Sequence, residues 1–211
     1  MEDNITLDLK DRKILYELDL SARQTNSMIA KKVGLSKDTV NYRIKRMEEE
    51  KLIQGYYTIF DTSRLGYISF RVYLKLFEIT NAKEKELIDF LVKNKKIGWV
   101  AKTEGNHDLA FLVWVKDIYE FNEFWNSFSG KFKPYFNERW ISIWTKLYHY
   151  RRAYIMNLKE DTTKTEIMGG NREKAEIDKT DSEILKLLAD NARIALTEIA
   201  SKLGISERTI A

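Results

Sequence analysis

The chain has 211 residues, 44% of them apolar and 12% aromatic, with a net charge of +4 and a pI near 9.0. That material suffices for one to three small domains with cores of their own, and the basic balance makes polyanions more plausible partners than cations. The lack of cysteine excludes disulfides, thiolate metal sites and cysteine nucleophiles; the opening MEDNITLDLKDR has no signal-peptide layout and no run approaches a membrane span, so a cytoplasmic protein is expected.

Residues 7–53 predict three helices. In the first, Ile14, Leu15 and Leu18 recur at helical spacing behind Asp8 and Asp11, acids suited to a helix start. A short second helix carries Met28, Ile29 and Val33 and stops at Gly34, a residue that takes the left-handed conformation at little cost. Ser36 caps a third helix with Val40, Ile44 and Met47 as its buried stripe. Gly55 is expected to break that helix, and the alternation in YYTIFD to begin a strand.

From Gly66 the period changes. Tyr67 to Ile79 has strand composition, and KEKELIDFLVKN is a helix with Leu87, Ile88 and Leu91 on one face. IGWVAKTEG and DLAFLVWVK are strands joined by a turn at Gly105-Asn106-His107. IYEFNEFWNSFSGKF is a helix burying Phe121, Phe124, Trp125 and Phe128. After Pro134, YFNERWISIWTKLYHYRRAY reads as one long, bent strand. The order β-α-β-β-α-β is the split plan of ferredoxin-like domains. One sheet face takes the two helices; the other is rich in tryptophan and tyrosine and is expected to meet another subunit. Residues 157–176 read as a polar linker in which TEIMGG can add a short strand.

Residues 177–211 repeat residues 7–41 without gaps, with thirteen of thirty-five positions identical, among them Asp178, Asp181, Ala192-Arg193, Ile199-Ala200, Gly204, Ser206 and Thr209. The repeat stops one turn into its third helix, so the counterparts of Ile44, Met47, Leu52 and Ile53 are missing. It is expected to be a piece of a longer unit, with Ile199, Leu203, Ile205 and Ile210 lacking their covering helix. Such a tail would be mobile or docked on a neighbour and would add no DNA affinity.

Helix, short helix, glycine turn and capped basic helix together make a helix-turn-helix, whose third helix is the one that enters a major groove. Between Lys31 and Arg46 stand six basic residues against one acid, Asp38, while the rest of the first sixty residues is net acidic. The positive charge is thus focused where the motif would meet phosphate. Lys37, Asp38, Asn41 and Tyr42, on early exposed turns, are expected to reach base edges. Ser36, Thr39, Arg43, Lys45 and Arg46 are expected to hold phosphates or support the helix. An ordinary solvated helix face is the alternative; the capped turn, the glycine and the repeat argue against it.

This stretch resembles the N-terminal DNA-binding domain of the Lrp/AsnC ("feast/famine") transcriptional regulators. Leu7-Asp8, Asp11, Ile14-Leu15, Ala22-Arg23, Ile29-Ala30, Gly34-Leu35-Ser36, Val40, Arg43-Ile44 and LIQGY carry the likeness. SRLGY before the first strand and Gly105-x-x-Asp108 resemble that family's effector-binding domain, and the extension past residue 155 is similar to archaeal-type members with a further helix-turn-helix. The resemblance implies an α+β protein: an N-terminal winged helix-turn-helix (1–55), a connecting strand or linker (56–65), a ferredoxin-like βαββαβ effector and dimerisation domain (66–156), a linker (157–176) and a partial C-terminal helix-turn-helix (177–211). It implies double-stranded DNA as partner, a homodimer or higher homo-oligomer, and a small amino-acid-like effector near the strand-two/strand-three loop. Gly105 would make that turn and Asp108 be its acidic member; a turn carboxylate accepting backbone N–H groups is an equal reading of Asp108.

Nothing else in the chain points strongly to chemistry. His107 and His149 have no ligand or carboxylate at metal spacing, and no phosphate loop or serine elbow occurs. No catalytic residue, metal or cofactor is expected. Two rivals stand beside the regulator. Siroheme decarboxylases resemble the same family, and such an enzyme would recruit Arg71, His107, Arg139 and His149 to a tetrapyrrole pocket. A ligand-binding oligomer without DNA binding would have no reason to keep the basic helix.

Overall fold

The computed structural model describes residues 6–157, 165–170 and 173–210. The parts of the expected linker at 158–164 and 171–172, and Ala211, lie outside the described residues. The chain divides into two compact units: Met1–Phe60 with Tyr148–Glu166 and Ile177–Ala211, and Asp61–Leu147 with Ile167–Glu176.

The first unit is helical. α1 (Leu9–Leu20) starts with a reciprocal cap: the Asp8 carboxylate accepts from the Asp11 N–H while Asp11 accepts from the Asp8 N–H. α2 (Asn26–Val33) is capped by Thr25 and ends at Gly34, whose φ of +67° is the left-handed turn that glycine permits. α3 (Lys37–Glu49) is capped by Ser36, which accepts from the Thr39 N–H at 3.1 Å. Ile14, Leu18, Ile29, Ala30, Val33, Val40, Ile44 and Met47 close one core between the three helices. Each large member of that set stabilises the unit by about 1.5–3 kcal/mol through burial. Met28, next to the buried Ile29, points outward instead and is 52% exposed.

Two expectations fail after α3. The helix stops at Glu49, well before Gly55, because Lys51 turns left-handed (φ 57°) and the Ile53 N–H returns to the Met47 carbonyl. The strand expected from Gly55 does not form; residues 54–60 run without a sheet partner.

The repeat folds as α6 (Lys179–Asp190), α7 (Leu196–Leu203) and α8 (Glu207–Ile210), with the same reciprocal cap at Asp178 and Asp181 and the same left-handed glycine, Gly204. It docks on the first copy within this unit. The Ala192 N–H donates to the Tyr56 carbonyl and the Thr58 hydroxyl to the Leu188 carbonyl, each at 2.7 Å. Ile199, expected to lack cover, is 1% exposed.

The second unit is a layer of two helices on a four-stranded antiparallel sheet. β1 (Ile68–Leu76), α4 (Asn81–Lys93), β2 (Ile97–Lys102), β3 (Leu109–Val115), α5 (Ile118–Phe132) and β4 (Phe136–Trp144) give the order β2-β3-β1-β4. That is the ferredoxin-like arrangement. Phe70, Val72 and Leu74 of β1 meet Leu87 and Leu91 of α4 and Phe124, Phe128 and Phe132 of α5 in the core. The expected long final strand is two: it breaks at Thr145, and β5 (Lys146–His149) pairs instead with β6 (Glu166–Gly169), the short strand read in TEIMGG. Gly169 is required there. It has a φ of +84°, and a Cβ would lie 2.7 Å from the Thr145 carbonyl oxygen. Among the described residues no helix is long and apolar enough to cross a membrane.

Candidate nucleic-acid interface

The caps and the glycine turn hold α2 and α3 at a fixed angle, and Lys10 of α1 reinforces the corner by donating to the carbonyls of Val33 (2.5 Å) and Gly34 (3.3 Å). With Val40, Ile44 and Met47 buried, helical geometry sends Lys37, Asp38, Asn41, Tyr42 and Lys45 outward, and all five are exposed. Tyr42 is 67% exposed, an unusual cost for an aromatic ring in a helix without a partner. Ser36 and Thr39 close the helix start through a 2.8 Å hydroxyl contact.

Arg43 and Arg46 face the other way. Expected either at phosphate or as supports of the helix, they turn onto α1: Arg43 reaches Asp8 (2.7 Å) and Asp11 (2.8 Å), and Arg46 reaches the second Asp11 oxygen at 2.8 Å. Asp11 is 1% exposed, so its charge needs both partners. The Asp11 N–H and the Arg43 guanidinium hold the Asp8 carboxyl below its usual range, and the two carboxylates push Arg43 up in turn. Lys32 is likewise taken, by Glu17 at 2.6 Å. The basic edge left for an outside anion is therefore Lys31, Lys37 and Lys45; Lys31 and Lys37 meet no carboxylate among the described residues, and Lys45 only touches Glu49 at 3.7 Å.

Two residues outside the expected DNA-binding set border this surface. Asn26, at the start of α2, donates from Nδ2 to Asn41 Oδ1 at 2.5 Å, and Arg193, from the repeat, donates to Asn26 Oδ1 at 2.8 Å. Asn26, Asp38, Asn41, Tyr42, Lys45 and Arg193 line one shallow hollow along α3. The available hint was the identity of Ala22-Arg23 and Ala192-Arg193 in the two copies.

In the second unit Gly105 makes the β2–β3 turn at φ +107°. The Asp108 carboxylate accepts from Lys75 Nζ (2.9 Å) and the Leu76 N–H (2.8 Å), and the lysine contact lowers its pKa. That is the turn-carboxylate arrangement, with an ion pair added. The sheet face away from the helices carries an arginine among aromatics: the Arg71 guanidinium lies 4.5 Å from the Trp144 ring and 5.0 Å from Trp99, and donates to the Tyr73 hydroxyl at 2.8 Å. His107 packs between Tyr73 and Trp140. Of the four residues a tetrapyrrole enzyme would use, Arg71 and His107 share this face through Tyr73. Arg139 instead lies over Trp125 of α5, on the helix side, and His149 belongs to the other unit. Among the described residues no group of three or more histidines and carboxylates could hold a metal ion.

Residues 7–54 match the family model for winged helix-turn-helix DNA-binding domains, and residues 177–211 the AsnC-type helix-turn-helix domain. The chain is 35% identical over 120 residues to the proline dehydrogenase transcriptional activator of Rhodobacter capsulatus, covering 56% of this chain and 77% of that protein. It is 30% identical over 116 residues to the transcriptional regulator LrpA of Pyrococcus horikoshii, covering 53% and 77%. Among solved structures it is similar to an AsnC family regulator from Agrobacterium tumefaciens (TM-score 0.61, 22% identity, 69% of this chain and 95% of that one). It is also similar to a Neisseria meningitidis transcriptional regulator in complex with L-Met (TM-score 0.59, 18% identity, 66% and 90%).

Proposed function

The chain belongs to the Lrp/AsnC family of transcriptional regulators, and from that premise we propose that it reads specific duplex sites with the outer face of α3, as a homodimer or larger homo-oligomer answering to a small amino-acid-like effector. The observation that carries the DNA reading is the division of labour on α3. Arg43 and Arg46 are spent on Asp8 and Asp11, whereas Lys37, Asn41, Tyr42 and Lys45 all stand outward along one exposed face of α3. In this reading Asp38, Asn41 and Tyr42 meet base edges, and Lys31, Lys37 and Lys45 meet phosphate with Ser36 and Thr39 at the helix start. Such work belongs in the cytoplasm.

The oligomer is supported by the sheet face of the second unit, where Tyr73, Trp99 and Trp144 surround Arg71 and Trp140, packed on His107, remains 42% exposed. The effector proposal rests on the L-Met complex of the Neisseria meningitidis relative and on the turn at Gly105 and Asp108. The direct test of the DNA proposal is binding to duplexes selected from a random pool by the full chain. Lys37→Ala and Lys45→Ala should weaken every site alike, and Asn41→Ala should change preference at one position of each half-site. Loss of neither affinity nor preference in all three variants would remove α3 from the interface.

A further inference from the structure

The two helix-turn-helix copies are joined by reciprocal bonds between equivalent residues. Arg23 Nη1 donates to the carbonyls of Ala192 (2.7 Å) and Ile194 (3.2 Å), and Arg193 Nη1 donates to the carbonyl of Ala22 at 2.6 Å. This is the self-complementary pattern of a two-fold interface, built within one chain. It explains why the dipeptide Ala-Arg stands at the same place in both copies.

The pair is not symmetric in its consequences. Arg193 also lies 5.2 Å from the Tyr56 ring, and its second nitrogen, Nη2, is the one that donates to Asn26 Oδ1. Arginine carries donors only, so the Asn26 atom facing it must be the amide oxygen. The Asn26 NH₂ group is thereby turned toward Asn41, and the Asn41 atom that receives it must be oxygen too. One donor-only side chain thus sets the polarity of two amides in series. An unconstrained asparagine can present a donor and an acceptor together, as bidentate reading of adenine requires. Here Oδ1 of Asn41 is already engaged by the Asn26 NH₂, and the Asn41 NH₂ is the group left to a base.

We propose that Arg193 is a specificity-determining positioning residue: the second repeat tunes the base preference of the first by locking Asn41 as a hydrogen-bond donor. The inference rests on the reading of α3 as the DNA-facing helix. It assigns the second repeat a part in recognition that needs no contact of its own with DNA. The base opposite Asn41 is one that offers an acceptor in the major groove, guanine through N7 and O6, thymine through O4 or adenine through N7, and cytosine, which offers only its N4 donor, is disfavoured.

The full-length protein tests this by site selection from random duplexes, followed by affinity measurement on single-base variants of the selected site. Asn41→Ala identifies the position that Asn41 reads. Arg193→Ala is expected to relax preference at that same position by roughly five-fold, the worth of one well-placed hydrogen bond, with other positions unaffected. Asn26→Asp keeps the arginine contact and adds a charge favourable at a helix start, so folding is preserved. A carboxylate can only accept, so Asn41 must turn its NH₂ inward and show oxygen to the groove. Preference should then move toward bases with donors, adenine N6 or cytosine N4. An equal loss of affinity at all sites in Arg193→Ala, with preference in Asn26→Asp unchanged, would overturn the proposal and leave Arg193 as a packing residue. If Asn41→Ala alters no position, the reading of α3 fails and the proposal goes with it. If Asn41→Ala alters one position and the other two variants do not, only the proposal fails.

Discussion

Arg43, on α3, donates to the buried carboxylate of Asp11 on α1 at 2.8 Å, 32 residues back in the chain. A residue with the spacing and charge of a phosphate ligand is thus a strut between two helices. Replacing it with alanine leaves Asp11 with Arg46 and the Asp8 N–H. A charge-assisted hydrogen bond of this kind contributes about 1.5–3 kcal/mol. Arg43→Ala should therefore lower the stability of the helical unit by roughly 2 kcal/mol in urea unfolding. Lys37→Ala, which has no such partner, should stay within about 0.5 kcal/mol of the parent. Equal stability of the two variants would show that the Asp11 pairing is not formed.

Acid should weaken the same corner. Asp8 has its pKa lowered by the Asp11 N–H and by Arg43. A depressed carboxylate contributes stability that is present above its unfolded value near 3.8 and is lost as pH falls through the lower folded value. Glu86, drawn down to about 2 by Lys83 and Lys131, adds the same dependence in the second unit between 4.5 and about 2. Asparagine caps helices as well as aspartate does, so Asp8→Asn removes the charge and keeps the cap. Its melting temperature should fall below the parent's at pH 7, and the gap should narrow as pH falls below 3.8. A constant difference across that range would remove the titration of Asp8 as the cause.

Gly169 gives a steric prediction. An added Cβ would meet the Thr145 carbonyl oxygen, the atom that accepts from the Gly170 N–H at 2.7 Å, in a left-handed conformation that alanine avoids. Gly169→Ala should cost more than about 1 kcal/mol, whereas Gly130→Ala, inside α5 with open space around it, should stabilise by about 0.5–1 kcal/mol. Thermal denaturation of the two variants separates the cases; the same sign for both would contradict the β5–β6 pairing.

The caps and the glycine turn were readable in residues 7–53 because they rest on local chemistry: Asp8, Ser36 and Gly34 act within four positions of themselves. The ferredoxin-like order was readable for the same reason, from alternation and helical spacing within each element. What escaped depends on distant partners. Nothing near Arg43 says that Asp8 and Asp11 will absorb its charge, and nothing near Arg193 points to Asn26, 167 residues away. The end of α3 was misplaced because Gly55 is the stronger breaker by composition. Lys51 takes the left-handed turn first, with the Ile53 N–H closing on Met47. The break at Thr145 has neither glycine nor proline to mark it.

Effector binding has a plain readout. An amino acid that binds only the folded state, at a hundred times its dissociation constant, adds about 2.7 kcal/mol to stability. At least one amino acid is expected to raise the melting temperature accordingly, and Asp108→Asn, which keeps an acceptor for the Leu76 N–H and loses the Lys75 ion pair, should reduce the shift. No shift with any amino acid would leave the second unit without an effector of this class. Light scattering on Trp140→Glu tests the sheet face separately; an unchanged oligomer would place the subunit contact elsewhere.

The central claim is that α3 meets duplex DNA through a small, defined set of cations, and the salt dependence of binding measures that set. Two heads of a dimer, each bringing Lys31, Lys37 and Lys45 to phosphate, predict that log K falls against log salt with a slope near −5. Each lysine replaced by alanine in both heads should reduce the slope by about 2. The Arg43→Ala protein, held folded at low temperature, should keep the parent slope. A slope near zero, or one that falls with Arg43 and not with Lys37 or Lys45, would contradict the account.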